Sequence, residues 1–541
     1  MVRKQVIGAA AFIMSLLWTV NAQEALKSTE EEYYDFLALD GIVQRPALGY
    51  RTLSDSVWTV PDGADGNVWA GSNLGTKKQL ADHISYKLFG PDWYNSFNTA
   101  APYGQNDGAL WQGKGYNTSI TAGARLEAYG FEITVKPQVC FSQNLDFDIM
   151  PSAYESEYGY FWNANKPSGS GSIDYPQRFG DSPFFTFDWG DTELRYTWKT
   201  LTIGFGTQSP WLGPAWLNPM LGSNNAASYP KLDFGIRKTA LYLPWLGWYV
   251  GDFEARVWTG MLTESGYFDT DSSNNYNMLN ALSVSFAPSV LPGLTLGMNR
   301  VFLTKWKWEN LKYLGRLFTL SENNDVNGDG DDQKASFSLD WLFPKVGFEV
   351  YGELGIDDYS ADKITNPFHT MIYTVGAKKS VPLPLKNVFG EFIFEWNNFE
   401  MSQDFQLQWQ YMGYYSHGKI LQGYTNGGQI LGAGSGTFGN SQYMGFRVYY
   451  PKGNTLLYAH RYCPDNNYIY NKAVGDTNIG SGKYWDMNKT VLGVGISTCY
   501  FVTENFQATG GINYSYIRYN LYTANTDVYN FQFTLGAKYT F

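Results

Sequence analysis

The stretch YNFQFTLGAKYTF at residues 529–541 ends the chain and decides the fold class. Apolar side chains occupy every second position of this stretch, from Tyr529 to Phe541, and polar or small side chains fill the positions between them. Strict alternation of this kind predicts a β-strand with one apolar and one polar face. A strand that ends on Phe is typical of membrane β-barrels, and the alternative is the edge strand of a soluble sheet.

The start of the chain predicts export from the cytoplasm. Arg3 and Lys4 precede an apolar run at residues 6–20, and Val20-Asn21-Ala22 carries the small side chains that a signal peptidase accepts. We therefore expect residues 1–22 to be a signal peptide that is cleaved after Ala22. Export together with the terminal strand predicts an outer membrane of the Gram-negative type, loops at the cell surface, and recognition of Phe541 by the barrel-assembly machinery.

Composition excludes several other classes of protein. Aromatic residues make up 18% of the 541 residues, with 41 Tyr and 19 Trp, and the net charge is −11. Mean hydropathy is −0.31, and no stretch after Ala22 is apolar enough for a membrane helix. The acidic balance argues against nucleic acid as a partner. Three cysteines are too few for a disulfide framework, whereas abundant Tyr, Trp and Gly suit a barrel in outer-membrane lipid.

Alternating segments similar to the terminal strand recur back to residue 117. They predict about seventeen strands, and because single-chain barrels usually have an even number, we expect an eighteenth around Ala109–Gly113. Short and long connections alternate, as periplasmic turns and external loops do. The predicted fold is all-β, a transmembrane antiparallel β-barrel of about 18 strands at residues 105–541.

One hairpin indicates which face is polar. Arg125, Glu127, Glu132 and Lys136 alternate with apolar residues on either side of Gly130. Charged side chains are costly in lipid, so these four are expected to line the lumen and to pair across strands.

Residues 23–104 are predicted to form a separate, helical periplasmic segment. Ser28-Thr29-Glu30-Glu31 is a capping box that predicts a helix with Tyr33, Phe36 and Leu37 on one side. Leu80, Ile84 and Leu88 recur every four residues, which predicts a second helix from Lys78 to Gly90.

Several blocks of sequence resemble the Wzi family of capsule-assembly outer-membrane proteins. The resemblance runs from about Tyr33 to Arg461 and rests on Asn106–Asn117, Tyr175–Gly180, Gly204–Gly206, Trp211–Pro214, Asn218–Pro219, Ser223–Ala226, Asp332–Phe337, Val350–Glu353 with Asp357 and Asp358, and Gln422–Gln429. The later blocks are similar to a branch associated with Bacteroidetes-like bacteria. The resemblance implies an 18-stranded, blocked barrel that acts as a surface lectin for capsular or related polysaccharide. A passive channel for polar solutes is the alternative.

A sugar site needs exposed aromatic rings and hydrogen-bonding side chains. The loop after residues 201–208 offers Trp211, Trp216, Asn224, Asn225, Tyr229 and Lys231. Alternatively, the same residues fold this Gly- and Pro-rich loop into the barrel mouth.

An acidic stretch has the spacing of a calcium loop. Asp325, Asn327, Asp329 and Asp331 place oxygen ligands at alternate positions, but Ser336 stands where the usual twelfth, acidic ligand would be. A structural Ca²⁺ and a solvated acidic loop both remain open. The four histidines show no catalytic or metal spacing, which argues against an enzyme.

Overall fold

Eighteen antiparallel strands form a closed barrel in the computed structural model, which describes residues 19–23, 28–61, 63–64, 66–150, 156–159, 172–319, 330–357, 371–400, 413–466 and 487–541. The strands are β1 Ile84–Asn98, β2 Gly115–Ala128, β3 Phe131–Val135 with Gln138–Ser142, β4 Phe184–Asp188 with Glu193–Trp198, β5 Leu201–Gly206, β6 Lys231–Tyr242, β7 Tyr249–Thr263, β8 Tyr276–Pro288, β9 Leu294–Lys305, β10 Asp332–Phe343, β11 Phe348–Asp357, β12 Met371–Pro382, β13 Phe389–Asn398, β14 Asn440–Tyr450, β15 Gly453–Cys463, β16 Thr490–Phe501, β17 Phe506–Arg518 and β18 Val528–Tyr539.

The barrel closes between its last and first strands. Lys538 of β18 pairs with Asp92 of β1, and Gln532 pairs with Asn98. Each other strand pairs with the strand that follows it in the chain. The predicted all-β barrel of about 18 strands is therefore confirmed. The end of the barrel with short turns is the periplasmic end, and the end with long connections is the outer end.

The terminal strand confirms which face meets lipid. Phe531, Phe533 and Leu535 are exposed on the outside of the barrel, whereas Asn530 and Gln532 are buried on the lumen side. Because β-strand side chains alternate, the apolar set covers the wall and the polar set fills the interior.

Two predictions near the chain start are wrong. Residues 78–90 do not form a helix, since they include a short strand, Lys78–Ala81, and the first part of β1. The eighteenth strand is β1 rather than Ala109–Gly113, so the barrel begins at Ile84 and not at residue 105. The four-residue spacing of Ile84 and Leu88 fits a strand as well as a helix, and a bulge between Phe89 and Asp92 shifts the register within β1.

The N-terminal segment occupies the lumen from the periplasmic end. Helix α1, Thr29–Leu39, begins at Ser28, whose hydroxyl accepts a hydrogen bond from the Glu31 amide at 3.1 Å, as the capping box predicts. Its aromatic side packs on the periplasmic ends of three strands through Phe389, Tyr449 and Phe501. The predicted signal peptide lies outside the described residues up to residue 18, and Thr19–Gln23 pairs with Val57–Pro61.

The lumen charges pair as the hairpin pattern predicts. The Arg125 guanidinium lies 2.6 Å from the Glu132 carboxylate and 2.8 Å from that of Glu127, and the Lys136 amine lies 2.9 Å from Asp191. These pairs satisfy charges that the barrel wall keeps away from lipid. Among the described residues, no helix has the length and hydropathy needed to span a membrane.

A second helix, α2, Tyr313–Arg316, follows a short 3-10 turn, Trp308–Lys312, in the connection after β9, and another 3-10 turn, Pro344–Val346, joins β10 to β11. Two pairs of two-residue strands lie off the wall, and both involve connections from the outer end: Trp211–Leu212 with Tyr50–Arg51, and Thr425–Asn426 with Gln429–Ile430. The outer connections therefore contribute to the interior as well as to the surface.

Candidate functional site

The connection between β5 and β6 folds down into the lumen. Its residues Trp211–Leu212 pair antiparallel with Tyr50–Arg51 of the N-terminal segment. The backbone amides of Trp216, Leu217 and Asn218 donate to the Glu395 carboxylate at 2.7, 3.0 and 2.8 Å. Because Glu395 belongs to β13, these charge-assisted bonds fix the connection to the opposite wall.

A second carboxylate holds the same connection. The amides of Ala215 and Met220 donate to the two oxygens of Glu353 on β11 at 3.1 and 3.2 Å. A Cβ atom at Gly213, where φ is +83°, would lie 2.3 Å from one of those oxygens. Only glycine can adopt this backbone conformation so close to the carboxylate, which explains the Gly in the Trp211–Pro214 block.

The residues predicted to bind sugar do not form one site. Trp211 is only 1% exposed and donates its indole N–H to the Ala215 carbonyl at 2.9 Å. Lys231 is buried and donates to the Gln208 carbonyl at 2.5 Å, and Tyr229 is also buried. These contacts favour the alternative in which the residues fold the loop.

Trp216 lies half-buried beside Tyr443, with ring centroids 4.8 Å apart. The space next to Trp211 and Trp216 has a volume of about 30 Å³, which is no more than the share of one water molecule. Sugar binding by this pair stays a prediction, and the space beside the rings is too small for a sugar ring.

The two asparagines lie nearer the outer end and hold loops together. Asn225 donates its side-chain amide to the Ile430 carbonyl at 2.9 Å and accepts from the Asn106 amide at 3.2 Å. The Asn224 carbonyl accepts from the Gly108 amide at 2.7 Å. Of the six predicted residues, Asn225 lines the cavity at this end, which is described next.

A cavity of about 190 Å³, which we call the mouth cavity, lies at the outer ends of β15, β16 and β17. Its wall combines aromatic rings with amide and charged side chains. The rings are Tyr103, Trp111, Phe147, Tyr175, Tyr462 and Tyr522, the amides include Gln105, Gln177, Asn225, Gln429 and Asn520, and the charged groups are Asp107, Asp148 and Lys489.

Lumen-facing polar residues of β1 and β18 position one side of the mouth cavity. Asn530 accepts hydrogen bonds from the amides of Ala100 and Ala101 at 2.8 and 3.3 Å, and Gln532 donates to the Tyr103 carbonyl at 2.6 Å. Asn98 donates to the Gln112 carbonyl at 3.1 Å. The connection between β1 and β2 is thus bonded to the strands that close the barrel.

Three polar side chains of the mouth cavity have hydrogen-bonding capacity to spare. Within the described parts of the chain, the side chains of Gln429, Lys489 and Asn520 make no hydrogen bond or ion pair, although all three line the cavity. The indole N–H of Trp111 is buried there without a partner among the same residues. In contrast, Gln177 uses its side-chain amide on the carbonyls of Met150 and Gly159.

The charges in the mouth cavity are tuned by burial. Burial raises the pKa of the Asp107 carboxyl to about 7, although a hydrogen bond from Gln112 opposes the shift. Burial lowers the pKa of the Lys489 amine to about 8. Both shifts have the same cause, since a low-dielectric environment disfavours a charged group.

Such a wall can bind a sugar ring. Tyr and Trp faces stack on the apolar C–H face of a pyranose, and unpaired amides exchange hydrogen bonds with its hydroxyls.

In the part of the chain that the structure describes, no group of three or more His, Cys, Asp or Glu side chains is arranged to hold a metal ion. Ser416 bonds to Gly413 and the His417 ring accepts from the Ile420 amide at 3.0 Å, so the two do not form a catalytic pair.

The acidic loop is mostly outside the described residues, which include Asp331 but not Asp325, Asn327 or Asp329. Asp331 is buried and accepts a hydrogen bond from the Tyr313 hydroxyl at 3.1 Å. The calcium hypothesis for this loop stays a prediction.

Sequence reasoning missed most of the mouth cavity, yet a signal was present. Four of the blocks that carry the family resemblance, Asn106–Asn117, Tyr175–Gly180, Ser223–Ala226 and Gln422–Gln429, each contribute lining residues. They are distant in sequence and meet only in the fold. The signal in the sequence was that several separate motif blocks contribute to one cavity. The residues of a single loop do not reveal this.

Comparison with known proteins identifies the family. The model of the family described as capsule assembly protein Wzi matches residues 96–529. The solved structure of Wzi from Escherichia coli, an outer-membrane protein involved in group 1 capsule assembly and a carbohydrate-binding β-barrel, superposes with a TM-score of 0.59 at 11% identity, covering 97% of this chain and 99% of that chain. OprB from Pseudomonas putida gives a TM-score of 0.37 at 11% identity, with 84% and 94% covered. A search of curated proteins finds no similar sequence.

The match to the family model spans most of the chain, from β1 to β18, and includes every connection that lines the mouth cavity. The chain therefore belongs to the capsule assembly protein Wzi family.

Proposed function

We propose that this protein binds surface polysaccharide at the outer mouth of a closed outer-membrane barrel and does not act as an enzyme. The observation that carries the proposal is the mouth cavity, whose wall combines aromatic side chains with the amides of Gln429 and Asn520, which have no partner among the described residues. Rings and amides together provide the contacts that a pyranose needs, whereas a channel for polar solutes needs a continuous water-filled lumen.

Two comparisons support the proposal. The family is named for capsule assembly, and the E. coli relative with the same fold is a carbohydrate-binding barrel. Capsular or related polysaccharide is accordingly the proposed partner, alongside outer-membrane lipid and, during assembly, the machinery that reads the terminal strand. The proposal includes membership of the Bacteroidetes-like branch of the family, which the resemblance of Gln422–Gln429 supports.

The filled lumen disfavours the alternative of a passive channel. A barrel of eighteen strands encloses an aqueous pore unless something occupies it. Here α1, the strand pair at Tyr50–Arg51 and the connection after β5 all lie inside the wall. Binding at the mouth is compatible with that arrangement.

The proposal predicts a specific loss of binding. We expect Gln429→Ala combined with Asn520→Ala to weaken the binding of surface polysaccharide from the source strain by tenfold or more, because each lost hydrogen bond contributes about 1 kcal/mol and 1.4 kcal/mol is a tenfold change. Calorimetric titration of the purified full-length protein with that polysaccharide measures the effect.

Asn525→Gly is the matched control. Asn525 is an exposed amide in the same turn as Asn520, does not line the mouth cavity, and has a φ of 64° that glycine tolerates. The control should bind as the wild type does. Unchanged affinity in the double variant, with the folded fraction intact by heat-modifiable mobility, would remove the mouth cavity as the site.

A further inference from the structure

Lys489 differs from the partnered cations inside the barrel. Several buried cations of the lumen lie 2.6–2.7 Å from carboxylates, as Arg195 does from Glu193 and Asp233, and Lys334 from Asp332 and Asp357. Lys231 instead donates to the Gln208 carbonyl. Lys489 lies just before β16, half-buried in the wall of the mouth cavity, and no carboxylate of the described residues pairs with it.

A partly buried amine without a counter-ion carries a desolvation cost. Burial lowers its pKa to about 8, and no acid of the described residues offsets the effect. The two acids that also line the cavity do not form an ion pair with it: Asp107 has a pKa raised to about 7, and Asp148 is exposed. An anion brought by a ligand would supply the missing partner.

The size of the cavity limits that ligand. A volume of about 190 Å³ is below the range of about 300–1,000 Å³ that holds drug-sized molecules. One sugar unit, rather than a long stretch of chain, fits such a space. Tyr462 and Tyr522 contribute aromatic rings to the wall, and Gln429 and Asn520 offer hydrogen bonds for hydroxyls.

We propose that the mouth cavity selects an acidic sugar unit of the polysaccharide, whose anionic group is bound by the Lys489 ammonium. The inference rests on the proposed function and adds the charge of the unit that is recognised. A hexuronate carboxylate and a sugar phosphate share the required chemistry, since an ammonium is a point charge without a preferred planar geometry.

The test compares native surface polysaccharide of the source strain with the same material after chemical reduction of its carboxyl groups to alcohols. We expect the reduced polysaccharide to bind the wild-type protein at least tenfold more weakly, if the anion is a carboxylate. Enzymatic removal of phosphate is the parallel treatment, and a tenfold loss there assigns the anion to a phosphate instead.

Two substitutions locate the effect at Lys489. Lys489→Gln should lower the affinity for native polysaccharide to the level of the reduced form and leave the affinity for the reduced form unchanged, while Lys489→Arg should retain binding. Lys114→Gln is the matched control, because Lys114 lies on the connection between β1 and β2, donates to the Asp146 carbonyl at 2.8 Å and does not line the cavity.

The affinity for native polysaccharide should also decrease as the pH rises. Below about pH 7 Asp107 is neutral and Lys489 is charged, so an anion is attracted; above about pH 8 Asp107 is charged and Lys489 is neutral, so the attraction is lost. Burial raises the pKa of Tyr103 and of Tyr175, so both stay neutral. The other titratable groups lining the cavity are Asp148, Tyr462 and Tyr522.

We therefore expect the affinity for native polysaccharide to fall about tenfold between pH 6 and pH 9 in the wild type, and much less in Lys489→Gln. Equal binding of native and treated polysaccharides, or wild-type binding by a folded Lys489→Gln, would overturn the selection of an acidic unit and leave the proposed function standing. Failure of every form to bind the folded wild type would overturn both.

Discussion

At the residue scale, Trp211 shows that a side chain suited to sugar stacking can serve the fold. Trp211 pairs with Arg51 in the short strand pair inside the lumen, and its buried ring lies 5.8 Å from the Arg51 guanidinium. We expect Trp211→Ala to lower the free energy of unfolding by about 3–5 kcal/mol, the usual cost of truncating a fully buried Trp. The readout is the folded, heat-modifiable fraction after denaturant titration.

The comparison variant is Trp308→Ala, because Trp308 is 88% exposed in the connection after β9. It should leave the folded fraction unchanged. Normal stability of Trp211→Ala combined with weakened polysaccharide binding would restore the sugar-stacking interpretation of Trp211.

The residue types in the connection after β5 explain why its inward fold could not be predicted from the sequence. Trp, Asn and Gly occur both in sugar sites and in packed connections, and only the pairing of Trp211–Leu212 with Tyr50–Arg51 reveals that the loop turns inward. The lumen charges were predictable, because alternation along β2 and β3 places Arg125 and Glu132 on the same face.

At the element scale, period-two alternation predicted seventeen strands but did not predict β1, and the reason is physical. Its outward positions include Leu88 before the bulge and Trp93 after it, so the apolar residues change parity within one strand. A pattern search that assumes one parity finds two short pieces there, and the first piece has the spacing of a helix.

The terminal strand carries a prediction at this scale. β18 pairs with β17 on one side and with β1 on the other, so it closes the barrel. We expect deletion of residues 528–541 to abolish assembled barrel, and Phe541→Ala to reduce outer-membrane yield several-fold while export across the inner membrane continues. Membrane fractionation and heat-modifiable mobility measure both effects.

Phe185→Ala provides the control, since Phe185 is a lipid-facing side chain, 77% exposed, on β4 rather than at the terminus. Truncating it removes a similar apolar area from lipid contact but should leave the yield near that of the wild type. Equal yields for Phe541→Ala and the wild type would show that the terminal Phe is not read during assembly.

At the scale of the whole molecule, the N-terminal segment and the inward connection act together as a plug. Asp55 lies 3.2 Å from Arg256 on β7 and 3.0 Å from Arg237 on β6, and Asp35 lies 2.5 Å from Lys378 on β12. Arg45 extends the same contacts to Asp340 and Glu349 at 2.8 Å. Ion pairs to strands around the barrel hold the segment in place, because removing one partner would leave a buried charge uncompensated.

This arrangement predicts the electrical behaviour of the protein. Wild-type protein reconstituted in planar bilayers should give negligible steady current, since the lumen that eighteen strands would leave open to water is occupied. Deletion of residues 28–76 should open a steady ohmic conductance in molecules that still show the heat-modifiable mobility of an assembled barrel. Loss of assembly in the deletion variant would instead mean that the plug is part of the folding core.

The wild-type measurement separates the two functional classes whatever the deletion does. A stable open-channel current from the folded wild type would contradict the plug and favour passive transport of polar solutes. Negligible current together with polysaccharide binding requires a closed barrel that binds the polysaccharide at its external end. The mouth cavity meets that requirement, because its binding groups come from the outer ends of the strands and from connections that the plug itself holds in position. Asn225, which follows the inward turn of the connection after β5, lines the cavity and bonds to Asn106 and to Ile430, the neighbours in sequence of the lining residues Asp107 and Gln429.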